Sequence, residues 1–260
     1  MDQNSLQAAL QNLNLPEIHF FDEIDSTNAR ALELASRGAD EFTLVIAERQ
    51  TSGRGRLGRH WETASGTSLA FSVIINPRPE EIERMGLFSL LGALSVCAPI
   101  EKMAKIQPKV KWPNDVLLDG RKVAGILTEA NWVGTHTPGI VLGIGVNLLK
   151  GSAPISGKLL FPATDVAEYC SEPISRLNFL ETVLIQLIKW RPNILEDEFL
   201  DAYRRRLAFL GQRVVLSANA ESQIEGKIIG VDDFGHILLK SEKGIINEYP
   251  IGDLKLRPIV

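Results

Sequence analysis

Between Gly53 and Arg59 the chain reads Gly-Arg-Gly-Arg-Leu-Gly-Arg. Glycine lets the backbone come close to a ligand and guanidinium forks match phosphate oxygens, so this run suits an anion bearing several phosphates. It is not a Walker A loop, because the Gly-Lys-Ser/Thr ending is missing, and it does not read as a Rossmann fingerprint. Taken alone it could equally be a flexible surface or RNA-binding loop. A second cluster is Lys111-Trp112-Pro113-Asn114-Asp115. Pro113 restricts Trp112 and stiffens the turn, which sets Asn114 and Asp115 at a strand start, able to bind a ribose, a metal or an amine. Lys122 follows an Asp119-Gly120 turn, and a hairpin there would bring it back beside Asp115. The bland alternatives are a strand-entry turn with a packed Trp and a solvated hairpin lysine.

Two further pieces accompany these. Gly143-Ile144-Gly145-Val146-Asn147 closes a strand whose glycines permit close approach of a ligand or of another strand. Ser26-Thr27-Asn28 stands where a helix should begin, as a cap or as a polar contact. The histidines (His19, His60, His136, His236) are not expected to pair with a cysteine, a carboxylate or one another at ligand spacing, so no protein metal site is expected. A Gly-x-Ser-x-Gly elbow is absent from the sequence.

The elements that must hold these residues can be read from periodicity. Ser26 to Arg37 predicts a helix capped by Ser26 and ended by Gly38. Thr43 to Glu48 and Thr67 to Ile75 predict strands. Glu80 to Lys105 carries Ile82, Met85, Phe88, Leu91 and Leu94 at helical spacing, with Pro99 expected to kink or end it. Strands are predicted at Lys109 to Trp112, Val116 to Asp119, Lys122 to Ala130 and Ile140 to Asn147, and helices at Ser175 to Trp190 and Ile194 to Leu210. After Gly211 come short β runs. The expected fold is α+β: a mixed or antiparallel sheet with packed helices over residues 1–210, then a small β barrel over 211–260.

Bulk properties narrow the classes. The 260 residues are 45% hydrophobic and 23% charged, with a formal net charge of -4. That leaves no global basic field for non-specific nucleic-acid binding, so an anionic ligand must be held by local charge. Cys97 and Cys170 match no metal or redox spacing and suit a reducing compartment. Met1 to Pro16 is polar, unlike a secretory signal. The apolar run from Leu87 to Ile100 falls short of the roughly 20 residues of a membrane span and reads as a core helix. A cytoplasmic protein away from the membrane is expected.

In this order the motifs resemble those of the biotin protein ligase family: Asp25-Ser26-Thr27-Asn28, then Gln50 with Gly53 to Arg59 and Trp61, then Lys111 to Asp115, Arg121 to Glu129 and Gly143 to Asn147. The likeness runs from about His19 to the C-terminus. It implies a catalytic domain related to class II tRNA synthetases and lipoate ligases, an SH3-like C-terminal module, and the formation of biotinyl-5′-AMP from biotin and ATP with Mg²⁺. The partner implied is the biotin carboxyl carrier protein or domain of acetyl-CoA carboxylase or a related carboxylase. The resemblance assigns Ser26, Thr27, Asn28, Gln50, Gly53, Arg54, Arg56, Lys122 and Gly125 to biotin. It assigns Arg56, Arg59, Trp61, Asn114, Lys122 and Asn147 to ATP or the adenylate, with Mg²⁺ carried mainly by ATP. Arg54, Arg56, Lys122 and Asp115 take the catalytic roles, Asp115 beside the acceptor lysine. Where some members cover adenine with Trp, Phe161 of Leu160-Phe161-Pro162 is the nearest candidate. Bifunctional members carry an N-terminal winged helix; 25 residues precede Ser26, too few for it, so DNA binding is not expected. Pairing of two copies through a strand edge stays open. The rival readings are a lipoate-type protein ligase and a non-enzymatic nucleic-acid-binding regulator.

Overall fold

The structure is a computed structural model that describes residues 1–131, 139–154, 162–217, 223–251 and 255–258. Seven strands form the first sheet: β1 (Ile18–Ile24), β2 (Leu44–Gln50), β3 (Ser68–Ile75), β4 (Lys109–Lys111), β5 (Asp115–Leu118), β6 (Arg121–Ala130) and β7 (Ile140–Asn147), in the order β1-β2-β3-β7-β6-β5-β4. Only β1 and β2 run parallel, joined through helix α2 (Thr27–Ser36); the other neighbours are antiparallel. Asp119 and Gly120 both take left-handed φ (48° and 70°), the geometry of the tight hairpin turn that joins β5 to β6.

Side-chain size divides the two faces of this sheet. On one face Leu69, Phe71, Val73 and Ile75 of β3 and Ile140, Leu142, Ile144 and Val146 of β7 enter a large core. Helices α3 (Gly86–Met103), α4 (Arg176–Trp190) and α1 (Gln3–Leu10) contribute to the same core. On the other face Ala31, Leu34 and Ala35 of α2 pack on Val45, Ile74 and Val141. Further along that second face the residues shrink. Register aligns Ala47, Ala70, Gly145, Gly125 and Asp115 as one row across five strands. Because alternate residues share a face, this row leaves a trough in the sheet surface beyond α2.

The remaining strands, β8 (Arg213–Ser217), β9 (Gln223–Val231), β10 (Ile237–Lys240), β11 (Ile246–Tyr249) and β12 (Lys255–Pro258), form an antiparallel sheet ordered β11-β10-β9-β8-β12. Its Val214, Leu216, Ile237, Leu239 and Leu256 belong to the same buried cluster as Leu87 and Phe88 of α3. Across this junction Trp112 Nε1 donates to the Gly235 carbonyl at 2.9 Å, and Arg204 donates twice to the Val231 carbonyl, at 2.9 and 3.1 Å.

Several elements differ from the sequence expectations. Helix α3 runs through Pro99 to Met103. Burial of Cys97 and Ile100 on either side outweighs a break that costs about 3 kcal/mol in an exposed helix. That helix is apolar enough to cross a membrane by composition, but 72% of it is buried inside the protein. Its predicted first turns are a separate 3₁₀ segment, Pro79–Arg84. The helix expected over 194–210 is limited to α5 (Asp197–Arg204). Residues beyond it turn away to pair with β4, Val110 N–H donating to the Arg206 carbonyl at 2.7 Å and Ala208 N–H to the Val110 carbonyl at 2.8 Å. Helix α1, capped by Asp2 and burying Leu6 and Leu10, has no counterpart in the sequence reading, nor does edge strand β1.

Candidate functional site

The trough opens into a cavity of about 430 Å³. Its walls come from α2, the Gly53 to Arg59 loop, the Lys111 to Asp115 turn and strand β12, which contributes Leu256 and Arg257. Arg54, Arg56, Arg59, Lys111, Lys122 and Arg257 line it, against the carboxylates Glu62 and Asp115. A protein of net negative charge thus concentrates cations in one concave, partly dry place, where they attract anions more strongly than in water.

The arginine–glycine run folds back on itself. Gly55 N–H donates to the Arg59 carbonyl at 2.8 Å, and Trp61 N–H to the Gly53 carbonyl at 2.9 Å. Gly53, Gly55 and Gly58 fall at Gly-x-Gly-x-x-Gly spacing, yet no α-helix follows them; Arg56–Gly58 is a single 3₁₀ turn in which Leu57 and Gly58 have φ of 60° and 68°. Leu57, the large apolar side chain of the run, is exposed. Its arginines reach inward: Arg54 Nη1 lies 3.4 Å from Glu129 Oε1, and Arg56 Nη1 donates to Asn114 Oδ1 at 3.0 Å.

Trp61 lies over the glycine floor. A Cβ on Gly145 would stand 2.6 Å from Trp61 Cζ2 and Nε1, so that glycine is needed for the indole to lie there, while one on Gly125 would crowd Cζ3 at 3.2 Å. Trp61 Nε1 and Asn147 Oδ1 are buried with no hydrogen-bond partner among the described residues. Dry unpaired polar atoms are costly, and a polar ligand in the cavity would relieve both.

At the α2 end a chain of hydrogen bonds fixes the polar residues. Gln50 Oε1 accepts from Thr27 N–H at 2.8 Å and from Thr27 Oγ1 at 3.1 Å. Ser26 Oγ caps α2 by accepting from Ala29 N–H. Ser72 Oγ lies 2.8 Å from Thr27 Oγ1 and 2.7 Å from Asn28 Oδ1, and Asn28 Nδ2 donates to Glu129 Oε2 at 2.7 Å. Gly143 makes room for that asparagine: a Cβ there would lie 2.7 Å from Asn28 Cγ.

At the far end the predicted hairpin does bring Lys122 to Asp115, with Nζ 2.6 Å from Oδ1. Lys111 Nζ stands 3.5 Å from Oδ2. Burial pushes the Asp115 carboxyl up, but Lys122 and then Lys111 outweigh it and hold it below the usual carboxylate range. Burial draws Lys111 down, Asp115 opposing and Lys122 and Arg59 reinforcing. Asn114 is locked between Arg56 and the Ile126 carbonyl, to which its Nδ2 donates at 3.0 Å. The Trp112–Pro113 bond is cis.

The structure therefore gathers Ser26, Thr27, Asn28, Gln50, Arg54, Arg56, Arg59, Trp61, Asn114, Asp115, Lys122, Gly125 and Asn147 around one cavity, with Gly53 backing the loop against Trp61. Phe161 lies outside the described residues. Ser72, Lys111, Glu129 and Arg257 were not singled out as site residues from sequence. The expectation that no histidine meets a carboxylate is corrected. His19 Nε2 lies 2.6 Å from Glu17, and the turn after β9 sets His236 Nδ1 3.0 Å from Asp232, with Glu248 near both. None of these lines the cavity.

The sequence profile of the Biotin/lipoate A/B protein ligase family matches residues 20–147. A Biotin--[acetyl-CoA-carboxylase] ligase of Paracoccus denitrificans is 33% identical over 233 residues, covering 85% of this chain and 92% of the relative. The Bifunctional ligase/repressor BirA of Bacillus subtilis is 31% identical over 235 residues, 88% of this chain and 71% of the relative. Among solved structures, the biotin protein ligase from Aquifex aeolicus in complex with biotin and ATP superposes with a TM-score of 0.78 at 31% identity, covering 94% of this chain and 99% of that one.

Proposed function

The chain belongs to the biotin/lipoate A/B protein ligase family, and from that premise we infer that it condenses biotin with ATP to biotinyl-5′-AMP and passes the biotinyl group to a protein lysine. The acceptor is a lysine on the carrier domain of acetyl-CoA carboxylase or a related carboxylase, in the cytoplasm. The observation that carries this reading is the cation-lined cavity above a glycine floor, closed at one end by the Lys122–Asp115 pair.

In the first half-reaction the biotin carboxylate attacks the α-phosphorus and pyrophosphate leaves. Two anions must approach each other, so the protein's task is to place positive charge where negative charge accumulates. Lys122, Arg54 and Arg56 do this, Lys122 between the biotin carboxylate and the α-phosphate. Ser26, Thr27, Asn28 and Gln50 form the polar end that holds the biotin head group, over Gly125 and against Gly53. Trp61, Arg59, Asn114 and Asn147 hold the nucleotide. The carboxylates that the basic groups engage do not suit a protein-held metal: Asp115 is held by two lysines, and Glu129 behind the loop by Arg54 and Asn28. Mg²⁺ would come with ATP's phosphates and supply charge neutralisation there.

In the second half-reaction the acceptor lysine attacks the acyl carbon and AMP leaves. A free lysine has a pKa near ~10.4, so it arrives protonated. Asp115 is the group placed to orient it and take a proton. The test is transfer of labelled biotin to an apo carrier domain with stoichiometric release of pyrophosphate and AMP. Purified protein that yields no biotinyl-5′-AMP from biotin, ATP and Mg²⁺ would remove the reading.

A further inference from the structure

Asp115 is only 7% exposed, yet its proposed role requires it to be ionised. Each oxygen faces one ammonium group, Oδ1 facing Lys122 on β6 and Oδ2 facing Lys111 on β4. Lys111 and Asp115 are direct cross-strand partners in the β4–β5 ladder, and the turn between them is closed by Asn114 N–H donating to the Lys111 carbonyl at 3.2 Å. The turn is anchored from beneath by buried Trp112, whose indole N–H is held by the Gly235 carbonyl. The two side chains are thus opposed by the backbone itself, and Lys111 is 14% exposed at its side chain.

Once an adenylate occupies the cavity, the charge of Lys122 is taken up by the phosphate and the acyl oxygen. A buried carboxylate deprived of its cation regains its proton, because burial favours the neutral form. We propose that Lys111 is a positioning residue for the transfer half-reaction, keeping Asp115 ionised and aimed at the acceptor amine while Lys122 is engaged by the adenylate. This rests on the ligase reading above. The acceptor ammonium gives one proton to Asp115, its nitrogen bonds the acyl carbon, and the acyl carbon–oxygen bond breaks with its electron pair leaving on AMP. The second nitrogen proton passes to water. Among the described residues the charged groups acting on the pair include Lys122 from β6 and Arg59 from the loop, the latter acting on Lys111.

The experiment is single-turnover transfer from the enzyme–biotinyl-AMP complex to an apo carrier domain, followed from about pH 3.5 to 9 so that the range reaches a depressed carboxyl. Wild type, Lys111→Met and Lys111→Arg are compared, with ATP–pyrophosphate exchange measured in parallel. Lys111→Met is expected to move the acid limb of transfer up by about one pH unit, a tenfold loss on that limb, with a smaller loss in exchange. Lys111→Arg restores the limb. In an Asp115→Asn background the same substitution leaves the pH profile unchanged. An acid limb coincident with wild type overturns the proposal, as do equal losses in both half-reactions or a failure of arginine to rescue. Should Lys111→Met lose its circular-dichroism signature, Lys111→Gln carries the same comparison. A wild type that forms no biotinyl-AMP sinks the functional reading and this proposal with it, whereas a competent wild type with an unshifted variant sinks only this proposal.

Discussion

Gly145→Ala tests whether the glycine floor is there for Trp61. The added methyl would sit 2.6 Å from two indole atoms. Carbon atoms rest at about 3.5–4.0 Å, so the ring must withdraw by roughly 1 Å. The Trp61 backbone N–H is bonded to the Gly53 carbonyl at 2.9 Å, so a withdrawal that carries the Trp61 backbone with it shifts the loop bearing Arg54 and Arg56. Misplacing positioning groups by about 1 Å costs about 10² in rate. Stability should fall little, by about 1 kcal/mol, because the displaced ring moves into the cavity and not into the packed core. Biotin-dependent ATP–pyrophosphate exchange and a thermal melt measure the two effects. Trp61→Ala removes the clash, so Gly145→Ala should add almost nothing in that background. Exchange within threefold of wild type in the single variant, or losses that multiply in the double, would refute the reasoning.

Other expectations follow from the same geometry. Lys122→Ala should lower pyrophosphate exchange by about 10²–10³ while the fold is retained by circular dichroism; near-normal exchange would remove Lys122 from the mechanism. Arg54→Ala and Arg56→Ala should raise the dissociation rate of biotinyl-5′-AMP, measured by stopped-flow chase, and unchanged retention would count against a closing loop. Glu81 offers a pH test away from the site. It is 1% exposed and paired with Arg191 at 2.7 Å; burial pushes its carboxyl up, but Arg191 and Arg78 outweigh it and hold it below its ordinary 4.5. A depressed carboxylate stabilises the fold above its unfolded pKa, and that contribution disappears as pH falls through the folded value. Glu81→Gln should therefore cost about 3 kcal/mol at pH 7, and the difference from wild type in urea titrations should shrink below pH 4.5. A constant difference down to pH 3 would contradict the sign.

Turn chemistry made the Lys122–Asp115 pairing legible: an Asp-Gly dipeptide between two β runs dictates a tight hairpin that folds Lys122 back toward Asp115, whose register partner is Gly125. Ser72 was hidden for the opposite reason. Strand β3 is buried on both faces, so Ser-Leu-Ala-Phe-Ser-Val-Ile-Ile shows no clean alternation from which Ser72 could be read as the partner of Thr27 and Asn28. Glu129 joins Asn28 across 101 residues of chain, a juxtaposition that only the strand order produces. Lys111 was visible within its motif, but its charge gains meaning only from the opposed Asp115. The shortened α5 illustrates tertiary override, since residues 206–208 satisfy their backbone groups on β4 and leave the helical path. Helix α1 carried a readable cap and an i,i+4 leucine pair, Leu6 and Leu10, beneath a polar composition.

The bond from Trp112 to Gly235, together with the cavity wall made by Leu256 and Arg257, has a bearing on how the enzyme is born. During synthesis from the N-terminus, the motif-bearing hairpin leaves the ribosome long before β12 exists. Until Gly235 is made the Trp112 turn lacks its anchor, and until Leu256 and Arg257 follow the basin stands open on one side. Competence to activate a vitamin is thus deferred until these wall residues exist, and a chain stalled before them has no finished chamber in which to release a reactive acyl phosphate.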